Sequence, residues 1–468
     1  MRRTGLLVAS LAGGLWGATL PAQPARPGPA APAGETLYPL KVAPGGRGLV
    51  DQSGRPFLLV GDAAWSLIAQ LSDQHADAYL ADRRQRGFNA VLVNLIEHQF
   101  SAGAPRDFYH ILPFTGRPFA TPNEAYFAHA DHVIRTAARL GMLVLLAPNY
   151  LGWACGDQGW CVETQAATLV EMHAWGRYVG NRYRGYDNIL WVIGGDTDPT
   201  RVRAKMQAMV NGILQADDRH LLTAHNTRKQ MAIEAWRGAR WLTVNDIYTP
   251  GLEYSYAQQA YDVTPPLPFF LIEARYEHDK GTTAQALRAE SYWTVLGGGF
   301  GHVFGNCPIW TFGAPGTHHF CATTNWAVEL GGQGSRDMGR FGALFASRHW
   351  SSLVPDTGHA VLTAGYGKYG RSDYATAAWA ADSSSIIAYL PTARPVTVSG
   401  SRLAGPTLAA WWYDPGTGIA TLIGDFPTAG TLTFTPPADG DWVFVADSRR
   451  FGFGAPGAPA PPRPTERR

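Results

Sequence analysis

The chain has 468 residues, with 39 basic and 37 acidic side chains and a formal net charge of +2. So even a balance excludes a binder that draws its affinity from phosphate neutralisation, and nucleic acid is not an expected partner. Hydrophobic residues make up 46% of the chain, with 53 Gly, 33 Pro and 16 Trp, which excludes a long helical or coiled-coil protein and suits a loop-rich globular one with a large core.

Arg2 and Arg3 precede an uncharged apolar run from Gly5 to Leu20, followed by small residues near Ala22. This pattern predicts a signal peptide over residues 1–22 and an exported protein, periplasmic or secreted; an uncleaved anchor is the other reading. No later run approaches the ~18 apolar residues of a membrane span, so no integral membrane segment is expected after signal removal. Residues 23–36 are rich in Pro, Ala and Gly and predict a disordered spacer. The four cysteines, in an oxidising compartment, predict two local disulfides, Cys155–Cys161 and Cys307–Cys321. A zinc site is the alternative, but no CxxC pair supports it.

Over residues 37–354 apolar strands alternate with amphipathic helices. Strands are expected over 57–60, 90–95, 142–147, 189–193, 220–224, 241–245, 269–272 and 301–304. Ser72 is expected to cap a helix closed by Gly87, and a helix opening at Asn123 ends at Gly141. Further helices are expected over 164–183, from Asp198-Pro199, over 284–296 and over 335–350. The strands read as continuous apolar runs, as strands buried on both faces do. Eight such units predict an α/β fold, a (β/α)8 TIM barrel. An open doubly wound sheet is the competitor; it calls for a glycine-rich phosphate turn after its first strand, and Gly61-Asp62-Ala63-Ala64-Trp65 is not one. From 355 to 450 short alternating segments separated by turn signals predict a small all-β sandwich, and residues 451–468 a disordered tail.

In such a barrel function sits at the C-terminal ends of the strands. Asp62, Asn94, Asn149, Asp196, His225, Asn245, Glu273 and Asn306 each end an expected strand or fall just past it. Two or three of these are expected to be turn residues only. Asp196 and Glu273, ending strands four and seven, would face each other across the mouth. A carboxyl pair of that kind is what glycoside hydrolysis needs, one to protonate the leaving oxygen and one to attack the anomeric carbon or activate water. Asp198, before Pro199, reads instead as a helix cap. Trp65, Trp153, Trp160, Tyr248, Tyr276 and Trp310 fall in expected strand-to-helix loops, where aromatic rings can stack on sugar faces. There is no G-x-S-x-G elbow, and His302 and His318-His319 lack metal-ligand spacing, so no metal or other cofactor is expected.

These residues resemble a known family. "GRPFLLVGDAAWSL", "GFNAVLVNL", "WVIGGDTDP", "FFLIEARYEHD" and "GHVFGN" are similar to the bacterial apiosidase-like glycoside hydrolases over about Tyr38 to Val354. "AYLP", "WWYDPGTG" and "DWVFVAD" resemble the small β-sandwich that follows that catalytic domain and carries a collagen-binding label. The resemblance implies Asp196 as acid/base and Glu273 as nucleophile, with Asp62, Trp65 and Glu277 lining the sugar pocket. The broader clan of retaining barrel glycosidases has Asn-Glu at strand four, where this chain has Gly195-Asp196. The expectation is therefore an exported glycosidase that cleaves an oligo- or polysaccharide by a two-carboxylate retaining mechanism. Its substrate-binding side chains would be Asp62, Trp65, Asn94, Asn149, His225, Asn245, Tyr248, Tyr276, Glu277, Asn306 and Trp310. A non-catalytic carbohydrate- or matrix-binding protein on the same fold, and a polysaccharide lyase using Tyr and His, are the rivals.

Overall fold

The computed structural model describes residues 36–313 and 324–459. The expected signal peptide, nearly all of the spacer, His318, His319, Cys321 and the last residues of the tail lie outside the described residues. Eight parallel strands form the barrel: β1 (Leu59–Ala63), β2 (Ala90–Asn94), β3 (Leu143–Ala147), β4 (Ile189–Gly194), β5 (Leu222–His225), β6 (Asn245–Tyr248), β7 (Phe269–Glu273) and β8 (Gly301–Asn306). They pair in the order β5-β4-β3-β2-β1-β8-β7-β6. The ring closes where the Thr243 and Val244 backbone N–H groups donate to the Leu222 carbonyl, at 3.0 and 3.1 Å. Each strand leads to a helix: α1 (Asp73–Gln85), α2 (Glu124–Arg139), α3 (Leu169–Tyr183), α4 (Arg203–Ala216), α5 (Ala232–Ala235), α6 (Glu253–Tyr261), α7 (Ala284–Leu296) and α8 (Gln333–Ala346).

Side-chain alternation along each strand builds two apolar layers. Leu59, Ala63, Leu92, Leu145, Val192, Phe270, Ile272 and Val303 fill the interior of the barrel. Val60, Val91, Val93, Val144, Leu146, Trp191 and Ile193 meet the helix ring. Both faces are buried, which is why these strands carry no polar period.

Several expected boundaries move for identifiable reasons. The helix expected over 164–183 is two helices, Cys161–Ala166 and α3, because Thr168 starts a new one with a capping box: Glu171 N–H donates to Thr168 Oγ1 at 3.1 Å and Thr168 N–H to Glu171 Oε2 at 2.7 Å. Asp198 caps as expected, accepting from Thr200 N–H at 2.8 Å, but it opens a single 3-10 turn (Pro199–Arg201) before α4. Asn245 begins β6 rather than ending it. The Cys155–Cys161 disulfide forms, with Cα atoms 5.1 Å apart, and closes the loop after β3.

Nine antiparallel strands follow: β9 (Leu353–Pro355), β10 (Leu362–Ala364), β11 (Thr376–Ala380), β12 (Ser385–Leu390), β13 (Val396–Ser399), β14 (Thr407–Tyr413), β15 (Ala420–Pro427), β16 (Thr431–Phe434) and β17 (Trp442–Ser448). They form a six-stranded sheet in the order β9-β11-β12-β17-β14-β15 and a three-stranded sheet in the order β10-β13-β16, packed over a common core. The sandwich docks on α7 and α8. Tyr292 stacks flat on Tyr389 with ring centroids 4.9 Å apart. Arg288 forks onto Asp441 at 2.7 and 2.8 Å and reaches Asp337 at 2.9 Å. Arg348, which follows α8, forks onto Asp447 at 2.7 and 3.1 Å, with both side chains almost wholly buried.

Removing one partner of a buried ion pair strands the other charge without solvent. Arg348→Met is therefore expected to cost about 3–5 kcal/mol, much of it regained by adding Asp447→Asn. Urea unfolding followed by tryptophan fluorescence reads both changes. A loss below about 1 kcal/mol in the single variant would show that this pair does not secure the seam.

Candidate active site

Four strand ends build the site. After β4 the chain passes through Gly194 at φ 90° and places Asp196 itself at φ 50°, a left-handed conformation that Asp adopts more readily than most side chains. Gly195 has no alternative here: a Cβ on it would lie 2.1 Å from the Tyr150 ring. That ring is what aims Asp196, because the Tyr150 hydroxyl donates to Asp196 Oδ2 at 2.7 Å. Asp196 Oδ1 has no hydrogen-bond partner among the described residues. From the end of β5, His225 Nε2 bonds Glu273 Oε2 at 2.8 Å. Glu273 is the last residue of β7.

One carboxyl oxygen of Asp196, one of Glu273 and one ring nitrogen of His225 all lie within 4.8 Å of one another. Burial and the nearby Asp196 charge push the Glu273 carboxyl above the usual carboxylate range, against the pull of His225 and Arg228. Burial lowers the His225 pKa, but the hydrogen bond and charge of Glu273, helped by Asp196 and Asp246, raise it further and leave a net rise. The same trio has the donor types of a cation site. The His225–Glu273 bond, however, already occupies Nε2 and one carboxylate oxygen, and ties the imidazole to the acid pair. Glu277, His278 and Glu329 form a second such group, joined by the 2.7 Å His278–Glu329 bond and by the Asn306 amide on Glu277 at 2.9 Å and Glu329 at 3.4 Å.

Aromatic rings wall the carboxyl pair. Trp65 stacks on His225 at 5.7 Å, packs on Tyr150 and Phe100, and donates its indole N–H to the Tyr276 hydroxyl at 3.1 Å. Tyr248 meets His225 edge-on at 4.7 Å. Trp310 packs on Tyr276 at 4.9 Å and on Phe100 at 5.8 Å. Trp153, 50% exposed, lies under the Arg228 guanidinium at 4.9 Å, and Arg228 Nε donates to the Tyr248 hydroxyl at 2.9 Å. Asp196 itself is part-buried.

Of the expected site residues, Asp196, Glu273, Trp65, His225, Tyr248, Tyr276 and Trp310 come together. Asn94 ends β2 buried beside Ser66 and Glu97, whose carboxyl burial pushes up to about 7. Five others are corrected. Asp62 faces outward between β1 and α1, where Tyr79 donates to it at 2.7 Å and Arg83 at 3.3 Å. Asn149 turns to the helix ring, donating to Thr164 at 3.0 Å. Asn245 accepts from Ile233 N–H at 3.0 Å and holds α5. Asn306 caps the short helix Cys307–Trp310 through Ile309 N–H at 3.2 Å. Glu277 accepts from Asn306 and from Gly334 N–H, each at 2.9 Å, so it braces the start of α8. Asp62, Asn149, Asn245 and Asn306 pass a test for polar residues near strand ends, and Glu277 was implied by the family resemblance; which face each occupies is a matter of register. Sequence reasoning also missed Tyr150 and Arg228. The Asn149-Tyr150 step just past β3 was a usable signal for the first; nothing in the sequence singles out the second.

The profile of the family described as "Apiosidase-like, catalytic domain" matches residues 43–352, and that of "Putative collagen-binding domain of a collagenase" matches residues 354–447. No match was found among curated proteins. A solved structure titled "Glycoside hydrolase" aligns at 24% identity over 90% of this chain and 99% of its own, with a TM-score of 0.79. A glycoside hydrolase family 5 structure from Bacteroides vulgatus aligns at 23% identity over 90% of this chain and 96% of its own, also with a TM-score of 0.79. Both share the fold of barrel and sandwich together. With most of its length matched by the catalytic-domain profile, the chain belongs to the apiosidase-like family of glycoside hydrolases.

Proposed function

We propose that the protein is an exported, retaining glycoside hydrolase that acts on a polysaccharide, with Asp196 as acid/base and Glu273 as nucleophile. The observation that carries this reading is the approach of an Asp196 oxygen and a Glu273 oxygen to within 4.8 Å. Direct attack by one carboxylate calls for carboxyl groups roughly 5–5.5 Å apart, whereas a water between them needs roughly 6.5–9.5 Å.

Glu273, held at Oε2 by His225, attacks the anomeric carbon as the glycosidic C–O bond breaks. The proton carried by Asp196 passes to the leaving oxygen; Oδ1 is the atom free to hold it, since Oδ2 accepts from Tyr150. Asp196, now ionised, takes a proton from water, and the resulting hydroxide displaces Glu273 from the sugar with net retention. The aromatic walls, with Trp153 at the opening, supply stacking faces for the sugar rings. A Cys155–Cys161 disulfide suits the oxidising compartment implied by export.

Truncation of the two carboxyl groups separates their roles. Glu273→Ala and Asp196→Ala should each lower kcat on an unactivated glycoside by on the order of 10²–10⁴-fold. On an activated aryl glycoside, whose leaving group departs without protonation, added azide should rescue both variants, giving a glycosyl azide of inverted configuration from Glu273→Ala and of retained configuration from Asp196→Ala. NMR of the products reads the anomeric centre. Full activity in both variants, or the same configuration from both, ends the assignment.

The pH dependence has a definite sign. Burial raises the Glu273 pKa and the hydrogen bond and charge of His225 pull it down; Glu273 must be ionised to attack, so His225 holds the acid limb of kcat/KM at lower pH. In His225→Ala that limb should move to higher pH. An unmoved or lowered limb would contradict the His225–Glu273 pairing.

A further inference from the structure

A second cavity lies away from the carboxyl pair, in the seam between barrel and sandwich. It has a volume of about 430 Å³ and is bounded by α6, the C-terminal end of α7 and the chain from Pro355 to Ala377. That volume falls within the range of small-molecule sites. Three tyrosines form one wall: Tyr254 and Tyr374 have ring centroids 4.8 Å apart, and Tyr369 sits 5.3 Å from each. The wall is fixed before any ligand arrives. The Tyr254 hydroxyl accepts from Gly370 N–H at 2.8 Å and donates to the Arg371 carbonyl at 3.0 Å, while Tyr374 bonds His359 at 3.3 Å. Tyr369 is 52% exposed, an unusual state for a ring in an otherwise buried cluster, and its hydroxyl donates to Gln258 Oε1 at 3.2 Å.

The polar groups of the lining narrow the ligand class. Among the described residues, no lysine or arginine lines the cavity. The carboxylate of Asp356 is spent on three backbone N–H groups, those of Ala360, Val361 and Leu362, and is not available to a cation. The Thr376 hydroxyl, in the lining, has no hydrogen-bond partner among the described residues. Flat aromatic faces beside amide and hydroxyl groups, without a net charge to match, suit an uncharged polyol with apolar C–H faces. An acidic sugar would find no lysine or arginine among the described lining residues for its carboxylate.

We propose that this cavity is a second, non-catalytic saccharide site that takes neutral sugar units of a polysaccharide. It rests on the glycosidase reading for its ligand class, and on Tyr369 and Gln258 for its contacts. Held at the seam, it would keep a polymer attached while the barrel works elsewhere along the chain.

Native gel electrophoresis in gels cast with galactomannan, xyloglucan, arabinan or polygalacturonate tests it, with Glu273→Gln protein used to prevent hydrolysis. At least one neutral polymer should retard that protein, and adding Tyr369→Ala with Gln258→Ala should abolish the retardation. In an otherwise wild-type background the same double variant should keep kcat/KM within about two-fold on whichever aryl glycoside the enzyme cleaves. No retardation by any neutral polymer, retardation by polygalacturonate alone, or retardation that survives the double variant overturns the site. Hydrolysis without retardation removes this site and leaves the glycosidase reading standing; Tyr369-dependent retardation in a protein that hydrolyses nothing does the reverse.

Discussion

Two carboxyl groups held within 4.8 Å in a largely water-excluded pocket repel each other unless a proton or a cation lies among them. His225 answers that constraint from β5 through its 2.8 Å bond to Glu273, and Arg228 adds a second positive charge at the rim. Burial and the Asp196 charge push the Glu273 carboxyl up, and the His225 bond and the Arg228 charge pull it back. The remaining features of the site serve to hold these groups at this separation.

The scaffold does so through local backbone geometry on one side and packing on the other. Gly194 and Gly195 let the chain turn beneath Tyr150, and the turn leaves Asp196 in a left-handed conformation that its hydrogen bond to Tyr150 secures. Such strain persists only where the surroundings over-determine it, and here the ring of Tyr150, pinned between Trp65 and Phe100, provides the determination. Glu273 needs no special backbone: as the last residue of a buried parallel strand, it is placed by the barrel itself. The sandwich contributes none of these groups. Its role in the described residues is to cover α7 and α8, the helices behind β7 and β8, through one stacked tyrosine pair and two forked arginine–aspartate pairs.

The barrel was legible because buried parallel strands have a strong signature, continuous apolar runs of four to six residues, and because eight of them recur with helices between. Asp196 and Glu273 could be picked out because acidic residues immediately after such runs are uncommon and strands four and seven face each other across a barrel mouth. Legibility failed at the polar neighbours. Asp62, Asn149, Asn245, Asn306 and Glu277 all sit at or near strand ends, yet each turns to a helix, a cap or a backbone N–H. Period-two alternation makes the face depend on a one-residue choice of register, and a strand apolar on both faces carries no pattern from which to read that choice.

Sequence alone therefore determined the elements and their order, because apolar runs, caps and turns are encoded within a few residues of where they act. Only the tertiary structure decided which strand-end groups look into the barrel, that Tyr150 aims Asp196, that His225 rather than an asparagine meets Glu273, and that a tyrosine-lined cavity opens at the seam. Those relations join residues 46, 48 or more than 100 positions apart. They depend on how the sheet closes and how the two domains dock, which no local stretch of the chain encodes.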